Sequence, residues 1–256
     1  MSASLLACRG LTRRFGGLVA LDGLDLEVRP AEVVGLIGPN GAGKTTAFNV
    51  MTGIHPPTAG EVIFEGRSTL GLRPSAVLAR GIARTFQSIR LFRGMSALEN
   101  VLVGRHARLR AGAFGAILGS RRVVEEERAA VEFAAELLRF TGVGRNALAR
   151  ADSLSYGDQR RVEIARALAS EPRLLLLDEP AAGMNPREKG VLNELILAIR
   201  DRGVTVLLIE HDMRVVMGIS DRVVVLDHGE KIAEGPPDEV RRDPKVLEAY
   251  LGSAHA

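Results

Sequence analysis

The chain has few of the residues that staple or anchor a protein. Among 256 residues there is one cysteine, Cys8, so an internal disulfide and a multi-cysteine zinc site are both excluded, as suits a reducing compartment. No stretch reaches the roughly 18 to 20 apolar residues that span a bilayer, and the opening residues (MSASLLACRG) lack a basic region followed by a long apolar core. Neither a membrane span nor a secretory leader is expected, and the chain should stay in the cytoplasm. An excess of one charge is also missing: 34 basic against 31 acidic residues leave +3, slight grounds for an anionic partner. Only Lys44, Lys189, Lys231 and Lys245 are lysines, the other 30 basic residues being arginines. There is no internal repeat at a solenoid period and no low-complexity tract. What remains, 46% hydrophobic and 25% charged residues, is the composition of an ordinary globular chain, long enough to bury most of its surface without a staple.

Short apolar runs alternate with amphipathic stretches, the pattern of α/β proteins. Residues 33–37, 173–177, 204–209 and 223–226 read as buried strands. The first is stopped by a glycine-rich turn at 38–43, and helical spacing follows from Lys44 to Gly53. Two long helical patterns lie between the first and second strands. One starts at the capping box Ser96-Ala97-Leu98-Glu99 and runs to about residue 109; the other covers about 123–140 and closes at Gly142. Residues 24–28 and 61–64 alternate apolar with polar side chains and predict an antiparallel side sheet. In 105–122 a small-residue run (AGAFGAILG) sits between Arg108, Arg110 and Arg121, Arg122, and reads as a loop or short helix on a solvated insert, with a membrane-surface patch as the alternative.

Three segments carry chemistry. Gly38-Pro39-Asn40-Gly41-Ala42-Gly43-Lys44-Thr45 fits G-x-x-x-x-G-K-[ST] at every fixed position, between a predicted strand and a predicted helix. Its backbone N–H groups would curl around phosphate oxygens at the positive end of that helix. Lys44 would reach the β- and γ-phosphates, Thr45 would give its hydroxyl to Mg²⁺, and Thr46 would add a phosphate contact. Leu174-Leu175-Leu176-Leu177-Asp178-Glu179 is an apolar strand ending in two carboxylates, where an open α/β sheet presents its chemistry. Asp178 would hold Mg²⁺ through water, and Glu179 would orient and deprotonate an attacking water. The third segment, Leu154-Ser155-Tyr156-Gly157-Asp158-Gln159-Arg160-Arg161, opens an amphipathic helix whose first N–H groups and Ser155 form a second anion site.

This third segment resembles the LSGGQ signature of ATP-binding cassette (ABC) ATPases and stands, as in that superfamily, between the phosphate loop and the Asp-Glu strand. Tyr156 replaces the first signature glycine and Asp158 the glutamine, whereas Ser155 and Gly157 are kept. The resemblance implies that those two touch the γ-phosphate of ATP held by a partner cassette. It gives Phe15, in Arg13-Arg14-Phe15-Gly16-Gly17, the role of stacking on adenine. Gln87, in Arg84-Thr85-Phe86-Gln87, becomes the Q-loop glutamine that senses Mg²⁺ and faces a transmembrane partner. His211 becomes the switch histidine on the γ-phosphate. At Ala182-Gly183-Met184-Asn185 a family aspartate is replaced by Asn185, which keeps a hydrogen bond but not the charge.

Residues 84–92, Leu98-Glu99-Asn100-Val101, the tyrosine-containing signature, Pro180-Ala181-Ala182-Gly183, residues 209–213 and the tail Ala249-Tyr250-Leu251-Gly252 are together similar to the ATP-binding subunit of branched-chain amino acid importers. The implied fold is α/β: a P-loop (RecA-like) core, an N-terminal antiparallel β subdomain and an α-helical signature subdomain over about 88–165, with a helical tail over about 236–256, all within one ABC ATPase domain of residues 1–256. The implied cofactors are ATP and Mg²⁺. The implied partners are a second cassette, identical or different, two permease subunits and an external solute-binding protein, at the cytoplasmic face of the cell membrane and without nucleic acid. Ile89, Leu91 and Phe92 after Gln87 are expected to anchor a permease helix and Arg90 and Arg93 to set its register, unless Leu91 and Phe92 fill the insert's own core. Urea or small amides are alternative cargoes. A soluble ABC ATPase acting on nucleic acid or ribosomes would carry a long coiled-coil insert or tandem cassettes, and a cassette that only binds nucleotide would not keep Lys44, Asp178, Glu179 and His211 together.

Overall fold

The computed structural model describes residues 4–108 and 121–252. The segment 109–120, which holds the whole of the small-residue run, lies outside the described residues, as does the expected helix end at residue 109. Strands β1 (Leu6–Phe15), β2 (Leu18–Val28), β4 (Ala59–Phe64) and β5 (Arg67–Ser68) form an antiparallel sheet in the order β2-β1-β4-β5. Strands β3 (Val33–Ile37), β6 (Ile82–Arg84), β7 (Leu174–Asp178), β8 (Thr205–Ile209), β9 (Arg222–Asp227) and β10 (Glu230–Gly235) form a second sheet in the order β10-β9-β3-β8-β7-β6. Its pairings from β9 to β6 are parallel, and β10 is antiparallel to β9. The fold is mixed α/β, as the alternation of apolar runs implies.

The apolar runs of β3, β7 and β8 are buried along their whole length because both faces of the sheet are covered. Successive side chains point to opposite faces. Leu175, Leu177, Val206 and Leu208 join a core with Leu137, Val162, Leu192 and Ile196 from the helices. Their neighbours Leu174, Leu176, Leu207 and Ile209 join a second core with Leu6, Leu24, Phe48 and Phe64, under the antiparallel sheet. Each fully buried leucine contributes about 1.5–3 kcal/mol over an exposed one, so the strand that ends in Asp178, just before Glu179, is held from both sides.

Helices α1 (Lys44–Met51), α2 (Pro74–Arg80), α3 (Ala97–Arg105), α4 (Arg121–Phe140), α5 (Tyr156–Leu168), α6 (Pro186–Asp201), α7 (Met213–Ile219), α8 (Pro237–Val240) and α9 (Pro244–Gly252) complete the described chain. The predicted capping box is present: Glu99 N–H donates to Ser96 Oγ and Ser96 N–H to Glu99 Oε2. α3 ends at Arg105 and continues as one 3₁₀ turn, His106–Arg108, short of the expected end. α3, α4 and α5 pack on one another through Val101, Ala134, Leu138 and Ala165. Among the described residues no helix is long and apolar enough to cross a membrane.

Candidate active site

Strands β3, β6, β7 and β8 run parallel, so the segments that follow them emerge at one edge of the sheet, the crevice where open α/β sheets bind ligands. After β3 the chain forms the glycine-rich loop. Gly38 lies so close to β9 that a Cβ there would stand 2.1 Å from the Leu226 carbonyl oxygen, and Gly43, at φ +98°, would place one 2.4 Å from the carbonyl oxygen of Ala20 on β2. Only glycine fits either position. No side chain caps the N-terminus of α1, so its first N–H groups are available to an anion. Asn40, Gly41 and Thr45 are exposed, Pro39 and Thr46 are half-buried, and Ala42 is buried. Lys44, only 6% exposed, folds back to donate Nζ–H bonds to the carbonyls of Gly38 (2.7 Å) and Pro39 (2.8 Å). Burial pulls its pKa down, while the carboxylates of Glu179 and Asp178 oppose that shift.

The carboxylates follow β7. Asp178 is the last residue of the strand, 2% exposed, with Oδ2 accepting from Arg84 Nη2 at 2.6 Å. Glu179 turns out of the sheet with φ +48°, and its N–H donates to the Ile209 carbonyl at the end of β8. Such a backbone costs about 1–3 kcal/mol in a residue other than glycine, and here it aims a carboxylate at the crevice. Glu179 Oε1 lies 2.5 Å from His211 Nε2, and Oε2 accepts from Gln87 Nε2 at 2.9 Å. The fold thus brings together Lys44, Asp178, Glu179, Gln87 and His211 from four separate segments. A carboxylate held between an imidazole and an amide, beside a lysine and an uncapped helix, can take a proton from water next to a bound polyphosphate.

Phe15 stands at the hairpin between β1 and β2, next to the strand that supplies Ala20. It is 39% exposed, with its ring edge-on to His55 (5.4 Å) and 4.4 Å from the Arg13 guanidinium. It is therefore not a core residue. Ser155 caps α5 by accepting from Asp158 N–H; it is exposed, and Gly157 is buried against Glu188. Among the described residues no hydrogen bond or ion pair joins Ser155 or Gly157 to the phosphate loop. A cavity of about 600 Å³ opens beside residues 39–42, lined also by Asp227, His228, Lys245 and Glu248; it includes none of Lys44, Gln87, Glu179 or His211.

Comparison with known proteins gives the family. Residues 21–182 match the ABC transporter family. The chain belongs to that family. Residues 230–256 match the branched-chain amino acid ATP-binding cassette transporter family. The cassette is 48% identical over 255 residues to the high-affinity branched-chain amino acid transport ATP-binding protein LivG of Salmonella typhimurium, covering 99% of this chain and all of that one. Its fold is similar to the ADP conformation of MJ1267, an ATP-binding cassette of an ABC transporter, with TM-score 0.85, 33% identity and coverage of 98% and 99% of the two chains. It is also similar to the dimeric post-hydrolysis state of the cassette MJ0796 bound to ADP and phosphate, with TM-score 0.77, 27% identity and coverage of 91% and 98%. The cassette is a nucleotide-binding ATPase subunit.

Three residues of the cassette escaped the sequence reading of the site. Arg84, at the end of β6, bridges Asp178 and Asn49 Oδ1 with its guanidinium. Glu210 is buried and accepts from the N–H groups of Ala181 and His211, tying the segment after Glu179 to His211; burial raises its pKa despite those bonds. Arg160 lies in the interior of α5 and reaches the Gln87 loop. A charged residue in a polar-looking stretch reads as solvated until its partners are known; the one local signal was Glu210 directly following a buried strand. The expected permease anchor divides: Phe92 is 49% exposed, Ile89 is half-buried, and Leu91 packs against the helical core.

Proposed function

We propose that this chain is the ATP-hydrolysing subunit of an importer for branched-chain or related amino acids, seated at the cytoplasmic face of the membrane on two permease subunits, with an external binding protein delivering the cargo. The observation that carries the reading is the convergence of Glu179, His211 and Gln87 beside Lys44 at the end of a phosphate loop. The cargo rests on the likeness to branched-chain amino acid transport proteins over nearly the whole chain.

The donor set suits a polyphosphate with a divalent cation: an uncapped helix, a buried lysine and a carboxylate pair. Gly38, Pro39, Asn40, Gly41, Ala42, Gly43 and Thr46 would line the phosphates, and Lys44 would exchange its two carbonyl partners for phosphate oxygens. Thr45 and Gln87, with Asp178 through water, would hold Mg²⁺, whose charge neutralises the β- and γ-oxygens. Phe15 would offer its exposed ring to adenine. Glu179 would receive the proton of the attacking water, and His211, now on the same carboxylate, would hold the γ-phosphate. Ser155 and Gly157 would complete the site of a second cassette, identical or different. Asn185 already caps α6 through its side-chain oxygen, which leaves its amide for a contact across the dimer.

Reconstitution into liposomes with two permeases and the binding protein tests the assignment. ATP-dependent uptake of labelled leucine, abolished by Lys44→Ala, is the expected result. Stimulation by urea in place of leucine would replace the cargo, and leucine uptake without ATP turnover would refute the role.

A further inference from the structure

The signature helix carries a tyrosine where the family has a glycine, and the site described above gives that tyrosine no task. Its hydroxyl lies 3.2 Å from Arg160 Nη2, and its ring covers Gly183, where a Cβ would stand 3.3 Å from Tyr156 Cε1. Arg160 is wholly buried. It donates from Nη1 to the Phe86 carbonyl (2.7 Å) and to Glu163 Oε2 (2.8 Å), and from Nη2 to the Gln87 carbonyl (2.7 Å). The same face of α5 holds the next residues of that loop: Glu163 Oε1 accepts from Arg90 N–H, and Arg166 Nη1 donates to the Arg90 carbonyl. Gln87 in turn holds Glu179.

We propose that Tyr156 and Arg160 form a positioning pair that makes the Gln87 loop, the Ser155 helix start and the turn at Gly183 move as one piece. The inference rests on the reading of Gln87 and Ser155 as parts of two opposed ATP sites. Past β6 the carbonyls of Phe86 and Gln87 have no strand to pair with, and the Arg160 fork supplies their donors. A guanidinium fork reaches two successive carbonyls at fixed geometry and keeps further N–H groups for a carboxylate and a phenol, which a lysine ammonium cannot match. Glu163 balances the buried charge, so the fork does not swing out to solvent. Tyr156 extends the same connection to the segment after Glu179, because glycine at 183 lets the ring lie against the turn. A glycine at 156 would remove both of those contacts and leave Ser155 tied to the Gln87 loop through Arg160 alone. Neither side chain is itself assigned to nucleotide or Mg²⁺: Arg160 acts through the Gln87 backbone and Tyr156 through Arg160.

Three full-chain variants test this: Tyr156→Phe, Tyr156→Gly and Arg160→Lys, compared with wild type for affinity toward a non-hydrolysable ATP analogue, for kcat and KM, and for amide exchange of residues 86–90 and 181–184. All three should keep analogue affinity within about twofold, since the phosphate loop is untouched. Arg160→Lys and Tyr156→Gly should lose about fivefold or more in kcat, Tyr156→Phe less. Exchange at 86–90 should rise in the Arg160 variant, and at 181–184 in Tyr156→Gly. Tyr156 is 45% exposed, so its variants report even where Arg160→Lys does not fold. Unchanged kcat in Tyr156→Gly, or exchange altered only within α5, would overturn the pair. A wild-type chain that fails to turn over ATP with its partners would instead overturn the functional reading beneath it.

Discussion

Replacing Glu179 with glutamine removes a charge and keeps a shape. The side chain is 13% exposed and bonded to two neighbours, His211 Nε2 at 2.5 Å and Gln87 Nε2 at 2.9 Å. A glutamine at the same φ of +48° retains one acceptor oxygen and bears the same backbone strain, so folding stability should change by no more than about 1 kcal/mol. The reaction should suffer far more. A positioned general base is worth about 10²- to 10⁴-fold, which is roughly 2.7 to 5.5 kcal/mol of barrier. Turnover should fall by that factor while MgATP still binds, and an ATP-bound dimer should accumulate. One side effect has a definite sign. Burial lowers the Lys44 pKa, and the Glu179 and Asp178 carboxylates counter it. Neutralising Glu179 pushes Lys44 lower still, so ATP binding by the variant should weaken at a lower pH on the alkaline side than wild type. Phosphate release measures turnover, calorimetry measures affinity, and size exclusion with ATP shows the dimer. Turnover within about threefold of wild type, with permeases present, would remove Glu179 from the base role.

Phe15→Ala should cost about 1–3 kcal/mol of ATP affinity, a rise in Kd visible by calorimetry; an unchanged Kd would leave the ring only its contacts with Arg13 and His55. Replacing Phe92 and Arg93 together with alanine should leave ATP binding by the subunit alone almost unchanged while lowering co-purification with the permeases, and wild-type yield with full transport would sink that interface. Because burial raises the Glu210 pKa, its protonated form is favoured in the fold. That contribution is greatest below the ordinary carboxylate range and is lost as pH rises through the raised value. Denaturant unfolding from about pH 4 to about pH 8 should therefore show Glu210→Gln gaining on wild type as pH rises; a constant difference would contradict the burial argument.

By itself the sequence determined the local chemistry. The G-x-x-x-x-G-K-T spacing between an apolar run and an amphipathic stretch predicts the glycine turn that leads from β3 into α1, and the capping box at Ser96 sets the start of α3; both depend on residues within a few positions of each other. Four buried strands were legible for the same reason, although β7 and β8 each begin one residue later than the expected ranges 173–177 and 204–209. Strands paired by tertiary context alone were not. β1, interrupted by Gly10, Arg13 and Arg14, is a strand because β2 and β4 flank it, and the polar β10 because β9 accepts it at the sheet edge. Only the tertiary structure set Gln87, Glu179 and His211 within hydrogen-bond reach, since the parallel order β6-β7-β8 makes neighbours of loops distant in sequence. Only it turned Arg160 from one more arginine on a polar helix into a buried fork on the Gln87 loop. Glu163, one helical turn away, balances the charge, but the two carbonyls that give the fork its task lie more than seventy residues away along the chain.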